Sequence, residues 1–403
     1  MLENKKDKKY TSIRDGRISE FAKDNKTYCP AAFTEIYVDS AQRYRLCCHA
    51  WPMKDMQVFK ENQTPPFEYF LSEAMEEIRN KMMVGDNIPE CSVCHLLEKN
   101  TGHSYRLRYL YSQGFVDDVR DVRLKLRIFG SFCNLGCYMC HPYNSSTRRK
   151  ELKELYGEDM GSFFTRSKEV AVKHDQYNRI IDDILKNIHL VKDIHMTGGE
   201  PLQLPKYWEF VESIPVEHSK HITLIHDTNF TKIRYNNKSI YDLKDKFGKV
   251  YFGISCDHFG DKLKWIRYPI SVDDFENNLK EFKAANIESY QSHLNCTVSI
   301  LNIDDLEEIY EYYKNKYNME TTFHNVVTGP QVLSIKNLPE KLKEKYKKKY
   351  IKLPFVVDEL TKQGSDKSYD EGIEYCDKLS QHRGFNFRSL WKDWIDYVES
   401  HRS

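Results

Sequence analysis

Apolar positions between residues 119 and 327 follow two different periods. Short apolar stretches, as in β-strands, are separated by stretches in which apolar residues recur every three or four positions, as in amphipathic helices. The predicted strands are residues 122–129, 193–197, 221–227, 249–256, 289–300 and 321–327. Predicted helices fill the gaps, for example residues 145–156, 176–190, 272–285 and 303–317. Because strands that alternate with helices build parallel sheets, the pattern predicts an α/β fold of six βα units.

The segments on either side of this pattern have a different character. Residues 1–24 are polar and charged without a period, which predicts a flexible leader. Residues 25–118 hold two short predicted strands, helical runs and five cysteines, and so indicate a small cysteine-rich α+β module. Residues 331–403 begin with a basic helical run and continue as amphipathic helices, which predicts a helical C-terminal extension. The α/β pattern between them is assigned to one domain, residues 119–330.

The charges of the chain nearly balance. The chain has 61 lysines and arginines and 60 aspartates and glutamates, which gives a formal net charge of +1. This balance gives no indication of nucleic acid as an obligate partner. The first residues, MLENKKDKKY, contain no apolar signal segment, and no stretch approaches the roughly 20 apolar residues of a membrane span. We therefore expect a cytoplasmic protein without a membrane partner. In that reducing compartment its 11 cysteines are expected to be metal ligands rather than disulfides, and eight of them fall in two clusters.

One cluster follows the first predicted strand directly. In the stretch FGSFCNLGCYMC, residues 129–140, Cys133, Cys137 and Cys140 have the spacing C-x3-C-x2-C. Three thiolates so close together can bind one face of a soft metal centre, and they leave one metal position for a ligand that is not protein. An open position of this kind indicates catalysis. The alternative on these residues alone is a structural zinc site completed by His141.

The second motif follows the next predicted strand. It is a glycine turn that ends in a carboxylate, Gly198-Gly199-Glu200-Pro201. The cysteine loop and this turn, in this order and at this distance, resemble the radical S-adenosylmethionine (SAM) superfamily. The resemblance implies that the three cysteines hold a 4Fe–4S cluster with an open iron site and that Gly198, Gly199 and Glu200 bind SAM. It further implies a partial (βα)6 TIM-type barrel and an electron donor such as flavodoxin or ferredoxin.

The resemblance extends to the ends of further predicted strands. Ser255, Asp257 and the downstream Arg267 resemble the SAM-binding strand of SPASM/twitch enzymes. Ser255 and Asp257 share one face of a strand and are expected to meet the ribose or methionine part of SAM. The guanidinium fork of Arg267 suits the methionine carboxylate. Thr228 and Asn295 are further candidates for the SAM pocket. The alternative for Ser255 and Arg267 is a capping serine and a surface salt bridge.

The other cysteine cluster lies in the N-terminal module. Cys29, either Cys47 or Cys48, Cys91 and Cys94 make a set of four thiolates, and the region resembles the SPASM/twitch auxiliary-cluster module of radical SAM enzymes. The resemblance implies a second 4Fe–4S cluster, whereas four cysteines on a hairpin and a helix also suit zinc. Neighbouring residues in an extended segment point to opposite faces, so only one of Cys47 and Cys48 is expected to bind.

Together these features predict an enzyme that cleaves SAM reductively to a 5′-deoxyadenosyl radical and abstracts a hydrogen atom from a substrate. Auxiliary clusters in the families that it resembles accept electrons or anchor substrate, which favours a peptide or protein side chain that is crosslinked or oxidised. Two alternatives stay open. One is dehydrogenation or epimerisation of a sugar or nucleotide metabolite, and the other is a metal-binding interaction protein without catalytic activity.

Overall fold

The structure, a computed structural model, describes four ranges of the chain, residues 25–39, 44–51, 64–158 and 174–402. The predicted leader, residues 1–24, lies outside the described residues. The chain forms two compact units. The first contains the described residues of 1–128 and 171–195, and the second contains those of 129–170 and 196–403. No helix in the described ranges has both the length and the apolar character that crossing a membrane requires.

Strands occur at all six places where the apolar pattern predicts them. The described strands are β1 (Glu35–Val38), β2 (Tyr44–Arg45), β3 (Val122–Leu126), β4 (Val191–Met196), β5 (Thr223–Thr228), β6 (Arg234–Tyr235), β7 (Lys238–Ser239), β8 (Lys249–Ser255), β9 (Tyr290–Val298) and β10 (Thr321–Val326). The six predicted strands are β3, β4, β5, β8, β9 and β10, and their ends differ from the prediction by three residues or fewer.

Helices separate most of these strands along the chain. The described helices are α1 (Ala31–Thr34), α2 (Pro66–Phe70), α3 (Glu73–Val84), α4 (Ser92–Thr101), α5 (Tyr105–Gln113), α6 (Ser146–Tyr156), α7 (His174–Lys186), α8 (Pro205–Ser213), α9 (Val216–Ser219), α10 (Gly260–Ile266), α11 (Val272–Ala285), α12 (Leu306–Tyr317), α13 (Glu340–Lys349), α14 (Pro354–Thr361), α15 (Asp366–Arg383), α16 (Phe387–Leu390) and α17 (Lys392–Glu399). The predicted α/β fold class is therefore confirmed.

The gap between β5 and β8 departs from the predicted alternation. Here the chain forms the small antiparallel β6–β7 hairpin and a single short 3-10 helix, Ile240–Leu243, instead of an α-helix. The hairpin turns at Asn236, whose φ is +52°. Asparagine tolerates this left-handed conformation better than most residues, so the local turn chemistry prevails over the helical pattern.

In the first unit the strands lie in the order β4-β3-β1-β2. β1 pairs in parallel with β3 and antiparallel with β2. Every second residue of β3 is buried, as expected for a strand that packs on one face. Arg79 of α3 is buried and donates from Nε to the carbonyl oxygen of Ala32 over 2.9 Å, which fixes α3 beside the entrance to β1. The cysteine-rich segments and β3 thus belong to one unit, and the predicted boundary at residue 118 stays a prediction.

In the second unit four parallel strands lie in the order β10-β9-β8-β5. The two faces of these strands differ. Residues such as Phe252 and Ile254 are fully buried on one face. On the other face Asp227, Ser255 and Asn295 are only half-buried. The half-buried face is the polar one, so it is the face suited to a polar ligand.

The C-terminal extension packs onto the second unit through aromatic residues. Trp265 at the end of α10 is fully buried and contacts the rings of Phe387 and Trp391. Trp265 Nε1 donates to Ser380 Oγ over 2.6 Å, and Trp391 Nε1 donates to the carbonyl oxygen of Leu301 over 2.8 Å. Large buried aromatic surfaces with satisfied indole N–H groups stabilise such contacts strongly. The extension is therefore an integral part of this unit.

Candidate functional site

The cysteine loop is held by the residues that begin α6. Ser146 Oγ accepts from the amide of Cys133 over 3.2 Å, and Thr147 Oγ1 donates to the carbonyl oxygen of Cys133 over 2.6 Å. Ser145, the N-cap of α6, donates to the carbonyl oxygen of Leu135 over 2.6 Å. A run of short hydroxyl side chains therefore satisfies the backbone of a loop that has no regular structure of its own.

The glycine turn is joined to that loop by backbone hydrogen bonds. The amide of Glu200 donates to the carbonyl oxygen of Phe132 over 2.8 Å, and the amide of Gly199 donates to that of Asn144 over 3.1 Å. Gly199 has a φ of +62°, and a Cβ at this position would lie 2.5 Å from the carbonyl oxygen of Phe132. Only glycine permits so close an approach. The two sequence motifs thus form one structural element.

The carboxylate of Glu200 is buried and accepts three hydrogen bonds from the chain. The donors are the amide of Asn229 at 2.7 Å, Thr228 Oγ1 at 2.7 Å and the amide of Leu202 at 3.3 Å. Burial raises the pKa of Glu200 to about 7, and these hydrogen bonds oppose the rise. A carboxylate has about four acceptor positions, so one remains for a further donor.

Two buried side chains direct N–H groups at the sulfurs of the motif. Asn229 Nδ2 lies 3.7 Å from Cys133 Sγ, and Arg267 Nη1 lies 3.6 Å from Cys137 Sγ. Burial raises the pKa of the Cys133 thiol, and neighbouring Cys137 and Glu200 raise it further. Burial also raises the pKa of the Cys137 thiol, while the charge of Arg267 opposes that rise. Cys140, the third cysteine, is half-buried.

Arg267 forms a buried ion pair with Asp257. Arg267 Nη2 lies 2.7 Å from Asp257 Oδ2, and Asp257 Oδ1 accepts from the amide of Thr297 over 2.7 Å. Burial raises the pKa of Asp257, and the guanidinium of Arg267 opposes this. Asp257 is completely shielded from solvent and Arg267 is 7% exposed, so the alternative of a surface salt bridge is wrong. The structure brings Arg267 to Cys137, with Asp257 as the partner of its guanidinium.

The remaining predicted SAM-pocket residues divide between two places. Thr228 is buried and holds Glu200, while its Oγ1 accepts from the amide of Phe230 over 3.0 Å. Ser255 and Asn295 are register partners on the half-buried face of β8 and β9. Asn295 Oδ1 lies 2.9 Å from Thr322 Oγ1, which donates to it. Ser255 and Asn295 therefore stand on a polar strand face, and Thr228 stands beneath the glycine turn.

Asn134, which the sequence did not single out, connects three parts of the site. Its Oδ1 accepts from Asn229 Nδ2 over 2.9 Å and from Gln203 Nε2 over 2.8 Å, and its Nδ2 donates to Thr231 Oγ1 over 2.9 Å. This residue lies between the first two cysteines of the motif, so its position within C-x3-C was the available signal.

A second residue that the sequence did not indicate is Arg383, the last residue of α15. Its guanidinium donates to the carbonyl oxygen of Gly136 over 2.6 Å, to that of Trp265 over 2.7 Å and to both oxygens of Glu151. Arg383 is buried, and its charge opposes the raised pKa of the Cys137 thiol. The C-terminal extension thereby contacts the cysteine loop, which no local pattern could have predicted.

Four of the five cysteines of the first unit line one cavity. They are Cys29, Cys47, Cys91 and Cys94, accompanied by His49, Tyr105, Arg106 and Tyr109 among others. Burial raises the pKa of the Cys29 thiol, and nearby Cys91 adds to the rise. Burial likewise raises the pKa of Cys91 to about 12. Arg106 is buried and bonded to the Glu98 carboxylate at 2.6 and 2.8 Å, so a fixed positive charge lies beside these thiols.

Cys48 has a different environment from Cys47. Lys125 Nζ lies 3.4 Å from Cys48 Sγ, 3.1 Å from Glu35 Oε2 and 2.8 Å from Tyr109 Oη. The amide of Cys48 donates to Glu35 Oε1 over 3.3 Å. Cys47 thus lies with the other three cysteines, and Cys48 lies in a lysine–glutamate cluster.

Neither cysteine set surrounds a single ion. Among the described residues, no three or more His, Cys, Asp or Glu side chains are arranged to hold one metal ion. His141, the proposed fourth zinc ligand of the loop, accepts from the amide of Tyr143 at Nδ1 over 3.3 Å and stacks on that ring. An iron–sulfur cluster places its thiolates farther apart than one ion does, so the finding concerns single ions such as zinc.

Comparison with known proteins gives a family match for part of the chain. Residues 128–313 match the Radical SAM superfamily. Among solved structures, native anSMEcpe with bound AdoMet is 17% identical over 57% of this chain and 59% of that chain, with a TM-score of 0.40. Streptococcus suis SuiB bound to S-adenosylmethionine is 16% identical over 71% and 60%, with a TM-score of 0.37. This chain thus spans less than two thirds of the length of each of these two proteins. No curated protein matches. Residues 128–313, a little under half of this chain, are therefore similar to the Radical SAM superfamily domain.

Proposed function

We propose that this protein is a radical SAM enzyme that reductively cleaves SAM and abstracts a hydrogen atom from a peptide or protein side chain. One observation carries the proposal. The amide of Glu200 is bonded to the carbonyl oxygen of Phe132, so the SAM-binding turn and the cysteine loop have a fixed mutual position. Precise placement of two reactants is a large part of catalysis, and this contact supplies it.

The residues of the loop fit a 4Fe–4S cluster. Cys133, Cys137 and Cys140 are three thiols on one short loop, none of them in a disulfide, and N–H groups of Asn229 and Arg267 point at two of their sulfurs. Such donors stabilise thiolate, the form that binds iron. Three ligands would leave one iron open for SAM, and a cluster held by these cysteines would supply the electron that cleaves SAM to methionine and a 5′-deoxyadenosyl radical.

The SAM ammonium group is assigned to the glycine turn. Glu200 has one acceptor position left, Gly199 brings the backbone of the turn close to the loop, and Gly198 directly precedes it in the same turn. The carboxylate cannot turn away, because Thr228 and the amide of Asn229 hold both of its oxygens. We assign the rest of the SAM pocket to Ser255 and Asn295 on the polar strand face.

The first unit is proposed to hold a second 4Fe–4S cluster in a SPASM/twitch-like module. Its ligands would be Cys29, Cys47, Cys91 and Cys94, which line the same cavity. Four thiolates leave no iron open to SAM, so the role of this module would be electron transfer or anchoring of the substrate. The external electron source would be a flavodoxin or ferredoxin. Zinc is the alternative metal.

Anaerobic reconstitution tests the proposal. We expect roughly eight irons and eight sulfides per chain, and reductant-dependent release of 5′-deoxyadenosine from SAM. Replacing Cys133, Cys137 and Cys140 together by Ala should remove about half of the iron and all SAM cleavage. Undiminished cleavage in that variant would refute the cluster assignment. About four irons and one zinc in the wild type would instead make the first unit a zinc module.

The substrate class has its own test. Candidate peptides deuterated at side-chain positions are incubated anaerobically with enzyme, reductant and unlabelled SAM. A peptide substrate should transfer deuterium to 5′-deoxyadenosine and lose mass corresponding to hydrogen removal. Transfer from deuterated sugars or nucleotides, with none from peptides, would replace the peptide proposal by a metabolite substrate.

A further inference from the structure

The guanidinium of Arg267 stands between a thiol and a carboxylate. Nη1 is 3.6 Å from Cys137 Sγ, and Nη2 is 2.7 Å from Asp257 Oδ2. Both charged groups are buried, and Asp257 is anchored on its other oxygen by the amide of Thr297. The ion pair is therefore oriented with its positive end toward the sulfur and its negative end toward the strand that carries Thr297.

We propose that Arg267 is a positioning residue that sets the reduction potential of the cluster bound at Cys133, Cys137 and Cys140. The inference rests on the proposed function, since it requires that cluster. Reduction adds negative charge to the cluster and its sulfurs, and an N–H donor with a positive charge stabilises the reduced form more than the oxidised form. Burial strengthens the effect, because the local dielectric constant is lower than that of water.

Asp257 limits the effect without cancelling it. The pair has no net charge, but Arg267 Nη1 is directed at Cys137 Sγ, whereas the two Asp257 oxygens are paired with Arg267 Nη2 and the amide of Thr297. Removal of the Asp257 charge should therefore raise the potential, and removal of both charges should lower it. Two shifts of opposite sign distinguish an electrostatic role from a merely structural one.

The sequence-based prediction for Arg267 was a contact with the methionine carboxylate of SAM. In the structure both Nη atoms have partners within the chain, and only Nε lacks a hydrogen-bond partner among the described residues. The two roles separate when the potential is measured without SAM. A role limited to SAM binding would leave the potential of the SAM-free cluster unchanged.

The test is a redox titration followed by electron paramagnetic resonance on the reconstituted full chain without SAM. The signal that disappears in the Cys133, Cys137, Cys140→Ala variant belongs to the site cluster. In the double variant Arg267→Gln, Asp257→Asn, the ratio of reduced to oxidised site cluster at the wild-type midpoint potential should fall about tenfold. This corresponds to a decrease of about 59 mV in the potential of a one-electron couple. In Asp257→Asn alone the ratio should rise by a similar factor.

Controls keep the outcomes separate. Arg388→Gln removes a charge from the exposed Arg388–Asp377 pair and should leave the ratio unchanged. The asparagine in Asp257→Asn still has a side-chain oxygen that can accept from the amide of Thr297. If the double variant loses iron, the ratio measured in Asp257→Asn alone therefore tests the proposal. A reduced-to-oxidised ratio in Asp257→Asn that stays within twofold of the wild-type ratio, with full iron content, would overturn the proposal. Absence of the site-cluster signal from the wild type would refute the proposed function instead.

Discussion

The amide of Glu200 donates to the carbonyl oxygen of Phe132 over 2.8 Å. Phe132 directly precedes Cys133, the first cysteine of the loop, and Glu200 ends the glycine turn. The side chain of Glu200 is held in turn by Thr228 Oγ1 and by the backbone amide of Asn229. The side-chain Nδ2 of Asn229 lies 3.7 Å from Cys133 Sγ. A displacement of the turn is therefore transmitted to the sulfur by two routes, through backbone and through Asn229.

Gly199→Ala should distort this connection. The new Cβ would lie 2.5 Å from the carbonyl oxygen of Phe132, and the alanine would have to adopt the positive φ of +62° that Gly199 has. The left-handed conformation costs about 1–2 kcal/mol and overpacking adds about 1–3, so denaturant unfolding should show a loss of about 2–5 kcal/mol. The control is Gly384→Ala, with φ of +73° and no atom near the added Cβ, which should lose only about 1–2 kcal/mol. Equal losses would show that the close approach is unimportant.

Glu200→Gln should weaken SAM binding while the cluster is retained. The substitution keeps the shape of the side chain but removes the charge that would pair with the SAM ammonium group. A hydrogen bond to a charged group is worth about 1.5–3 kcal/mol, so the Kd for SAM should rise roughly 10- to 150-fold in anaerobic equilibrium binding. Glu209→Gln, an exposed position on α8, serves as the matched control and should bind like the wild type. Unchanged affinity in Glu200→Gln would exclude this residue from the SAM site.

Cys47→Ala and Cys48→Ala should differ in metal content. Cys47 lines the cavity with Cys29, Cys91 and Cys94, whereas Cys48 lies 3.4 Å from Lys125 Nζ. We expect Cys47→Ala to lose about half of the iron and to destabilise the first unit, because metal binding and folding of small modules are coupled. Cys48→Ala should keep its iron. Iron loss in Cys48→Ala with full iron in Cys47→Ala would reverse the ligand assignment.

Arg383→Gln should loosen the cysteine loop from the C-terminal extension. The change leaves Gly136 and Trp265 without a donor to their carbonyl oxygens and removes one partner of the buried Glu151. Breaking a buried pair on one side costs about 3–5 kcal/mol. We expect that loss in thermal unfolding, with faster release of iron from the site. Arg388→Gln, which breaks an exposed pair, should lose less than about 1 kcal/mol. Similar losses in the two variants would contradict a role for Arg383 at the loop.

The sequence by itself determined the strands, and it predicted the chemistry of the two motifs. Buried strand residues such as Leu224 and Val250 alternate with more exposed neighbours, because one face of the strand packs on the core, and this alternation can be read from the local sequence. The spacing of the cysteines is also local, so it indicated a soft metal centre before any contact was known, and the resemblance carried by this loop and the glycine turn implied SAM. The departure between β5 and β8 had a local cause as well, the turn at Asn236.

Only the tertiary structure decided which partners these residues have. Whether Cys47 or Cys48 faces the other cysteines depends on where Cys91 and Cys94 lie in space. The partner of Arg267 is Asp257, although the spacing of the two residues suited a SAM contact equally well. Such contacts join distant segments, and they are fixed by the cost of burying a charge or donor without a partner. Neither a period nor a motif records that cost.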